Sequence, residues 1–201
     1  MSDSDPSLCT APGLAPWRSS LARALHRNRS QPHSHYFQLA TVTPEGYPAN
    51  RTVVFRGWLP ATNILTLVTD RRSGKVVDLA AHPWAEACWY FTQTREQFRL
   101  AGPMTVVGSA DNALGGARQT AWEALSTKAR QQFYWPHPAA PRSSDASFSP
   151  REVGEVAPDT FCLGLLTPHR VDHLELRGDP QARYLYHQQD DGSWTVAPIN
   201  P

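Results

Sequence analysis

The stretch from Asn50 to Lys75 decides the fold, and it runs N-R-T-V-V-F-R-G-W-L-P-A-T-N-I-L-T-L-V-T-D-R-R-S-G-K. Its first part, 51–58, is rich in β-branched and aromatic residues, which predicts a strand. Residues 63–69 have the same character and follow a short turn that contains Pro60. The stretch therefore predicts two neighbouring β-strands joined by a turn.

The end of this stretch combines cations with the start of a helix. Asp70 or Ser73 can cap the helix that follows, and the free N–H groups of a helix N-terminus attract anions. Arg51, Arg72 and Lys75 would lie near that helix end and at a strand end. Together with the serine hydroxyl, these groups suit a phosphate monoester. The alternative interpretation is that the cations are simply solvated at the ends of strands.

The rest of the chain predicts further antiparallel strands with a few helices. Tight turns separate the apolar runs, which is typical of a small β-barrel rather than of parallel βαβ units. The predicted strands are 36–42, 85–91, 97–107, 161–166, 170–176, 183–187 and 193–196, and the predicted helices are 16–27, the helix after Ser73, and 111–133. The fold class is thus mainly β with helices, with one helix inserted between strands.

Length and composition narrow the class of protein. The 201 residues and the net charge of +1 favour one domain and give no reason to expect a nucleic-acid partner. We find no apolar run of about 18 residues, so no membrane span is expected. The cysteines and histidines lack disulfide and metal-ligand spacing, which predicts a cytoplasmic protein without a metal site. We expect a disordered tail over 1–15, a single domain over 16–201, and a long Pro- and Ser-rich loop over 136–158.

Several ordered motifs resemble those of one protein family. Arg-Thr-Val-Val-Phe-Arg-Gly at 51–57, Thr-Asp-Arg-Arg-Ser-Gly-Lys at 69–75 and Arg-Glu-Gln-Phe-Arg at 95–99 are similar to the FMN-binding branch of the pyridoxamine 5′-phosphate oxidase-like superfamily. The likeness continues to Arg183 and the terminal Trp194. It implies an FMN-binding split β-barrel and a homodimer with the flavin at the subunit interface.

The resemblance also implies which residues bind the cofactor. Arg51 and Lys75 would hold the FMN phosphate, while Gln97 and Arg183 would approach the flavin system, where a nearby cation or donor tunes the redox potential. The full set of implied cofactor-binding residues is Arg51, Thr52, Val53, Val54, Phe55, Arg56, Val68, Thr69, Arg72, Ser73, Lys75, Gln97 and Arg183. Flavin chemistry needs no protein nucleophile, so no catalytic residue is named.

The chain departs from the oxidases at the positions that bind their substrate. Where the oxidases carry an Arg-Leu-His triplet ahead of the flavin arginine, this chain has Asp179-Pro180-Gln181. Arg56 replaces a substrate-contacting lysine, and a carboxylate at Asp179 would repel a substrate phosphate. We therefore expect an FMN-dependent oxidoreductase acting on an unidentified small molecule. A non-enzymatic FMN-binding protein and a genuine pyridoxamine/pyridoxine 5′-phosphate oxidase are the alternatives.

Overall fold

The computed structural model describes residues 13–201. Ten strands in this part of the chain form one antiparallel sheet. They are β1 (Tyr36–Val42), β2 (Pro48–Val54), β3 (Gly57–Trp58), β4 (Leu65–Asp70), β5 (Trp84–Phe91), β6 (Glu96–Val107), β7 (Phe161–Leu166), β8 (Arg170–Glu175), β9 (Ala182–Gln188) and β10 (Trp194–Ile199).

Four α-helices and three short 3₁₀ turns accompany the sheet. The helices are α1 (Trp17–Arg27), α2 (Gly74–Ala81), α3 (Gly115–Glu123) and α4 (Thr127–Gln131), and the turns are Pro32–His35, Gln132–Tyr134 and Asp145–Phe148. Within the described residues, no helix is long and apolar enough to cross a bilayer.

The long strand β6 joins two parts of the sheet and curls it into a half-barrel. Its first half pairs with β5 and β8 in the order β10-β9-β8-β6-β5-β1-β2. Its second half pairs with β7, which continues through β4 to β3. Because one strand belongs to both parts, the sheet must bend around its own inner face. The alternating burial along β1, β5 and β6 shows which face is inside.

Aromatic side chains fill the inside of the half-barrel. Phe37, Phe55, Trp89 and Phe91 are buried and contact each other, with ring centroids 5.0–5.2 Å apart for the three pairs that include Trp89. Such aromatic burial and ring-to-ring contact contribute strongly to core stability. Trp17 of α1 is fully buried in the same cluster, so the first helix closes one end of the core.

A second, smaller core lies under the helices that follow β6. Trp122, Phe133 and Phe161 pack within 4.9–5.8 Å of one another. This cluster fixes α3 and α4 against β7, and thereby sets where the long loop after residue 134 begins. Trp122 and Phe133, which both fall in the predicted helix 111–133, therefore face this core.

Three sequence expectations need correction. The predicted strand 51–58 is interrupted, because β2 ends at Val54, Phe55 turns into the core and the Arg56 amide donates to Thr66 O. Arg51 consequently lies within β2 rather than at a strand end. The predicted helix 111–133 is broken between α3 and α4, where the side chain of Ser126 caps the new helix.

Two further predictions concern irregular segments, the tail over 1–15 and the loop over 136–158. The predicted disordered tail falls largely on residues 1–12, which lie outside the described residues. Ala15, which the prediction included in that tail, is fully buried, and its amide donates to Asn63 Oδ1 at 2.9 Å. Within 136–158 the structure has one 3₁₀ turn and no helix or strand.

Candidate functional site

A cavity of about 590 Å³ opens beside β2, β4 and the start of α2. Its volume lies within the roughly 300–1,000 Å³ that small-molecule sites occupy. It brings together nine of the residues singled out in the sequence, namely Arg51, Thr52, Val53, Val54, Arg56, Val68, Thr69, Ser73 and Lys75. Residues that are far apart along the chain thus share one concave surface, because β2 and β4 both lead to it.

Lys75 and two hydroxyls form a polar cluster in this cavity. The Nζ atom of Lys75 lies 2.9 Å from Thr69 Oγ1 and 3.1 Å from Ser73 Oγ. The two hydroxyl oxygens are themselves 3.1 Å apart. Ser73 occupies the N-cap position of α2, but its side chain makes no capping hydrogen bond and is held toward Lys75 instead. The cluster therefore lies at a helix N-terminus, where amide groups and the helix dipole favour an anion.

The protonation of Lys75 reflects this environment. Burial lowers the pKa of the Lys75 ammonium below its ordinary value, and the nearby guanidinium of Arg51 lowers it further. The carboxylates of Asp70 and Asp78 act in the opposite direction without cancelling the shift. Among the described residues, the hydrogen-bond partners of the ammonium are hydroxyls and not a carboxylate. An anionic ligand would supply the missing counter-charge.

Arg51 is held in place by three acceptors from outside its own strand. Its Nη1 donates to Thr41 Oγ1 and to Leu39 O, and its Nη2 donates to Asp78 Oδ2 at 3.0 Å. Thr41 in turn donates to the same Asp78 oxygen at 2.6 Å. The guanidinium is therefore oriented before any ligand binds, which reduces the entropy cost of binding.

Arg72 is not brought to the cavity. Its guanidinium donates to both carboxylate oxygens of Asp70, at 3.0 and 2.7 Å, and also to Trp135 O. Burial tends to raise the pKa of Asp70, but the hydrogen bonds from Arg72 outweigh it and the pKa is lowered. Arg72, which the sequence analysis grouped with Arg51 and Lys75, thus ties the end of β4 to the loop after residue 134.

Phe55, Gln97 and Arg183 also lie away from this cavity. Phe55 is a core residue. Gln97 on β6 and Arg183 on β9 are both paired with Leu174 of β8, so the three residues form one row across the sheet. Since directly opposite residues share a face, Gln97 and Arg183 project from the same side of the sheet.

A buried carboxylate organises the cations on that face. Arg183 donates to both oxygens of Asp172, at 2.9 and 2.8 Å, while Arg99 and Arg170 each lie 4.0 Å from the same carboxylate. Asp172 is 3% exposed. The hydrogen bonds from Arg183 are the main reason that its pKa is lowered, and burial opposes them.

The wall opposite β2 and β4 was missed by the sequence analysis. It is built by the segment from Leu125 to Phe148, which contributes apolar and proline side chains together with His137 and Arg142. Within it, Leu125 and Phe133 are buried and Trp135 is partly exposed. The absence of a hydrophobic period in the loop predicted a lid or an excursion, but composition alone does not show which surface a loop covers.

A separate group of titratable residues lies on β6 and β8. The side chains of Glu96, His173 and Glu175 approach within 4.8 Å of one another. His173 Nε2 is 2.9 Å from Glu96 Oε2, and Arg23, Arg27 and Arg177 line the shallow pocket beside the two glutamates. Sequence spacing did not suggest this group, because its members come from two strands. The histidine hydrogen bond and the positive charges of the neighbouring arginines account for the carboxylates without a metal ion.

Comparison with known proteins places this chain in a family. The family model for the pyridoxamine 5′-phosphate oxidase FMN-binding domain matches residues 14–108. The pyridoxine/pyridoxamine 5′-phosphate oxidase 2 of Arabidopsis thaliana is 35% identical over 194 residues, which cover 94% of this chain and 98% of that protein.

Solved structures agree with this result. A pyridoxamine 5′-phosphate oxidase-related, FMN binding protein from Nostoc punctiforme PCC 73102 superposes with a TM-score of 0.91 at 52% identity, covering 94% of this chain and all of the other. PhzG from Burkholderia lata 383 has the same fold, with a TM-score of 0.76 at 18% identity and coverage of 97% and 98%. The predicted family and split-barrel fold are confirmed: the chain belongs to the pyridoxamine 5′-phosphate oxidase-like family of FMN-binding split-barrel proteins.

Proposed function

We propose that this protein is an FMN-dependent oxidoreductase for a small molecule, with the FMN phosphate bound by Lys75, Thr69, Ser73 and Arg51. The observation that carries the proposal is the half-buried Lys75 ammonium, whose bonded partners within the described residues are two hydroxyls. A phosphate monoester supplies both the acceptors and the negative charge that such a group lacks.

The cavity fits the rest of FMN as well as its phosphate. Apolar side chains including Val54, Val68 and Phe133 line the same space, and they suit a flat ring system. FMN is the cofactor of the matched domain, and when bound it supplies two-electron transfer chemistry. The role of the chain is to bind and orient it. The segment 135–143 would exclude water from one side of the cavity.

We also propose that the complete site is made by a homodimer. The residues implied to contact FMN lie far apart on one chain: most line the cavity beside β2 and β4, whereas Gln97 on β6 and Arg183 on β9 lie three and five strands away from β2 on one face of the sheet. The same face carries exposed Tyr36 and Tyr90, since alternate residues of β1 and β5 point outward. A second copy placed against this face would cover the exposed aromatics and bring the two half-sites together.

The proposed activity is tested by electron donors. Purified protein loaded with FMN would be mixed anaerobically with NADH or NADPH, and flavin reduction would be followed as the loss of the visible absorbance of oxidised FMN. Reoxidation would then be measured with oxygen and with a panel of small acceptors. We expect saturable reduction that is faster than that of free FMN.

The matched control is the Lys75→Met variant, compared at equal total FMN. Its rate should fall in proportion to the FMN that it no longer binds. Reduction no faster than that of free FMN with every donor, in a protein that binds FMN stoichiometrically, would show that the chain binds flavin without turning it over.

A further inference from the structure

A second cavity of about 520 Å³ adjoins the first one. It lies between the β3–β4 region and helix α3. Both cavities are lined by Arg56 and Leu125, so these two residues mark the junction between them. None of the residues assigned to the FMN phosphate lines the second cavity.

The walls of the second cavity are flat and apolar. Phe55 and Trp58 form one side, with ring centroids 5.2 Å apart in an edge-to-face arrangement. Helix α3 and its C-terminal end present Ala117, Ala121 and Ala124 on the other. Small side chains facing aromatic rings leave space for a planar apolar group. Such a group is stabilised when it leaves water and binds there.

The polar groups of this cavity are largely satisfied within the protein. Thr66 Oγ1 donates to Gly57 O and Thr120 Oγ1 donates to Gly116 O, each at 3.0 Å. His35, at the edge of the cavity, stacks on Phe55 with centroids 6.4 Å apart. Across residues 13–201, the lining includes neither a lysine nor a carboxylate.

Arg56 is the exception. Its backbone amide donates to Thr66 O, but its guanidinium has no hydrogen-bond or ion-pair partner among the described residues. It is an exposed cation at the boundary between an apolar cavity and the cofactor cavity. A planar guanidinium fork matches a carboxylate with two parallel hydrogen bonds.

We propose that the second cavity binds an aromatic monocarboxylate, with the carboxylate on Arg56 and the ring between Phe55, Trp58 and the alanines of α3. One guanidinium neutralises one negative charge, whereas a phosphate monoester would bring a second charge, and the lining offers no second arginine and no lysine for it. The proposal that this ligand is the substrate rests on the proposed function, because the shared Arg56 places it next to the FMN cavity.

The test uses 1-naphthoate as the probe and 1-naphthamide as its uncharged match, each titrated by calorimetry into the purified protein with FMN added. We expect saturable binding of one naphthoate per chain and at least about tenfold weaker binding of the amide. Arg56→Met keeps the length of the side chain but removes the charge, and should weaken naphthoate binding by about tenfold or more. Ala121→Phe fills the cavity and should abolish binding of both probes.

Two controls separate these effects from general damage. Lys128→Met removes a cation that lines neither cavity, and Ala22→Phe adds the same aromatic group on the exposed side of α1. Both should bind naphthoate as the natural chain does. Bound FMN, measured by absorbance, should be retained in Ala121→Phe and in both controls.

Three results would overturn the inference: equal affinity for naphthoate and naphthamide, unchanged affinity in Arg56→Met, or an affinity that falls as protein concentration rises because a second copy covers the cavity. The proposed oxidoreductase activity fails separately. If the protein binds naphthoate through Arg56 but no donor reduces its FMN, the proposed carboxylate site stands and the proposed enzymatic function is wrong.

Discussion

The guanidinium of Arg51 on β2 lies 3.0 Å from the carboxylate of Asp78 on α2. Asp78 is buried, and its Oδ2 atom also accepts a hydrogen bond from Thr41 of β1. The ion pair therefore ties a strand, its neighbour and the inserted helix together beside the Lys75 cluster. It orients Arg51, and it also places a negative charge close to the proposed phosphate site, where that charge opposes binding of an anion.

Substitutions at Asp78 should separate these two effects. Asp78→Asn keeps an oxygen that can accept from Arg51 and Thr41 but removes the charge, so FMN should bind at least as tightly as in the natural protein. Asp78→Ala removes the acceptor and lets the guanidinium move, so FMN binding should weaken by about tenfold. Fluorescence titration of FMN measures both. Equal affinities in the Ala variant and the natural protein would show that Asp78 does not position Arg51.

Lys75→Met should weaken FMN binding by about 1–3 kcal/mol, because a charge-assisted hydrogen bond to phosphate is lost. The same change should leave the apoprotein at least as stable to urea as the natural apoprotein, since a half-buried ammonium without a carboxylate partner is costly. A variant that binds FMN normally would remove Lys75 from the site. If the variant loses FMN because it unfolds, the predicted stability of the apoprotein to urea is wrong.

The lowered pKa of Lys75 also predicts how pH affects the protein. In the folded apoprotein Lys75 loses its proton at a lower pH than in the unfolded chain, whose lysines titrate near the ordinary 10.5. Between the folded pKa and 10.5, the unfolded chain binds more protons, so Lys75 contributes a gain in apoprotein stability as pH rises through this window. FMN affinity should fall over the same window, because the neutral amine holds phosphate less well. The slope of FMN affinity against pH should flatten in Lys75→Met, and an unchanged slope would contradict this assignment.

Arg72→Met provides the contrasting variant. Because Arg72 is engaged by Asp70 and by Trp135 O rather than lining the cavity, FMN affinity should change by less than about threefold, while unfolding free energy should fall by about 1 kcal/mol. Arg72 and Lys75 are three residues apart, and only Lys75 lines the cavity. The two variants therefore compare the loss of a cation outside the cavity with the loss of one inside it. A loss of FMN affinity as large as that of Lys75→Met would show that Arg72 turns into the cavity when FMN binds.

The sequence predicted the strands well because each buried strand carries its own signal. The prediction for Tyr36–Val42 coincides with β1, where every second side chain is buried. Lys75 and Ser73 could likewise be grouped from the sequence, since both lie at the start of one helix, whereas Thr69 was implied only by the resemblance.

Long-range partners carried no such signal. Sequence alone could not show that Asp78 would reach Arg51 across 27 positions, that Arg72 would reach Trp135 O, or that the loop after Phe133 would form a wall of the cavity. Each depends on how distant elements pack against one another, and local propensity does not determine that packing. The single row formed by Gln97 and Arg183 similarly emerges from strand register, which was not assigned from the sequence.

The proposed homodimer can be tested by mixing two defective chains. Lys75→Met damages the cavity half of the site, and Arg183→Met damages the sheet-face half. If each FMN site combines the cavity of one chain with the sheet face of its partner, random reassociation of the two variants should restore about a quarter of the sites. Fluorescence titration of the refolded mixture measures them, and sedimentation should give a dimer. A mixture that binds no better than the average of its two components would contradict the shared site.

The last prediction concerns the substrate named for the Arabidopsis relative. We expect negligible oxidation of pyridoxamine 5′-phosphate and pyridoxine 5′-phosphate. Asp179 is exposed in the connection between β8 and β9, where the resemblance to the oxidases implies a substrate-binding guanidinium that this chain lacks, and a carboxylate there repels phosphate. Lys128 does not line either cavity, and the Arg130 guanidinium donates to the carbonyl oxygens of Trp122, Glu123 and Leu125. These two cations are therefore not positioned to replace the missing guanidinium.

The assay incubates FMN-loaded protein in air with pyridoxamine 5′-phosphate or pyridoxine 5′-phosphate and measures the pyridoxal 5′-phosphate formed. Asp179→Arg is the matched variant, because it restores the positive charge. Turnover of about 1 per second or more by the natural chain, within the ordinary range for enzymes, would show that other residues hold the substrate phosphate and that Asp179 does not exclude it.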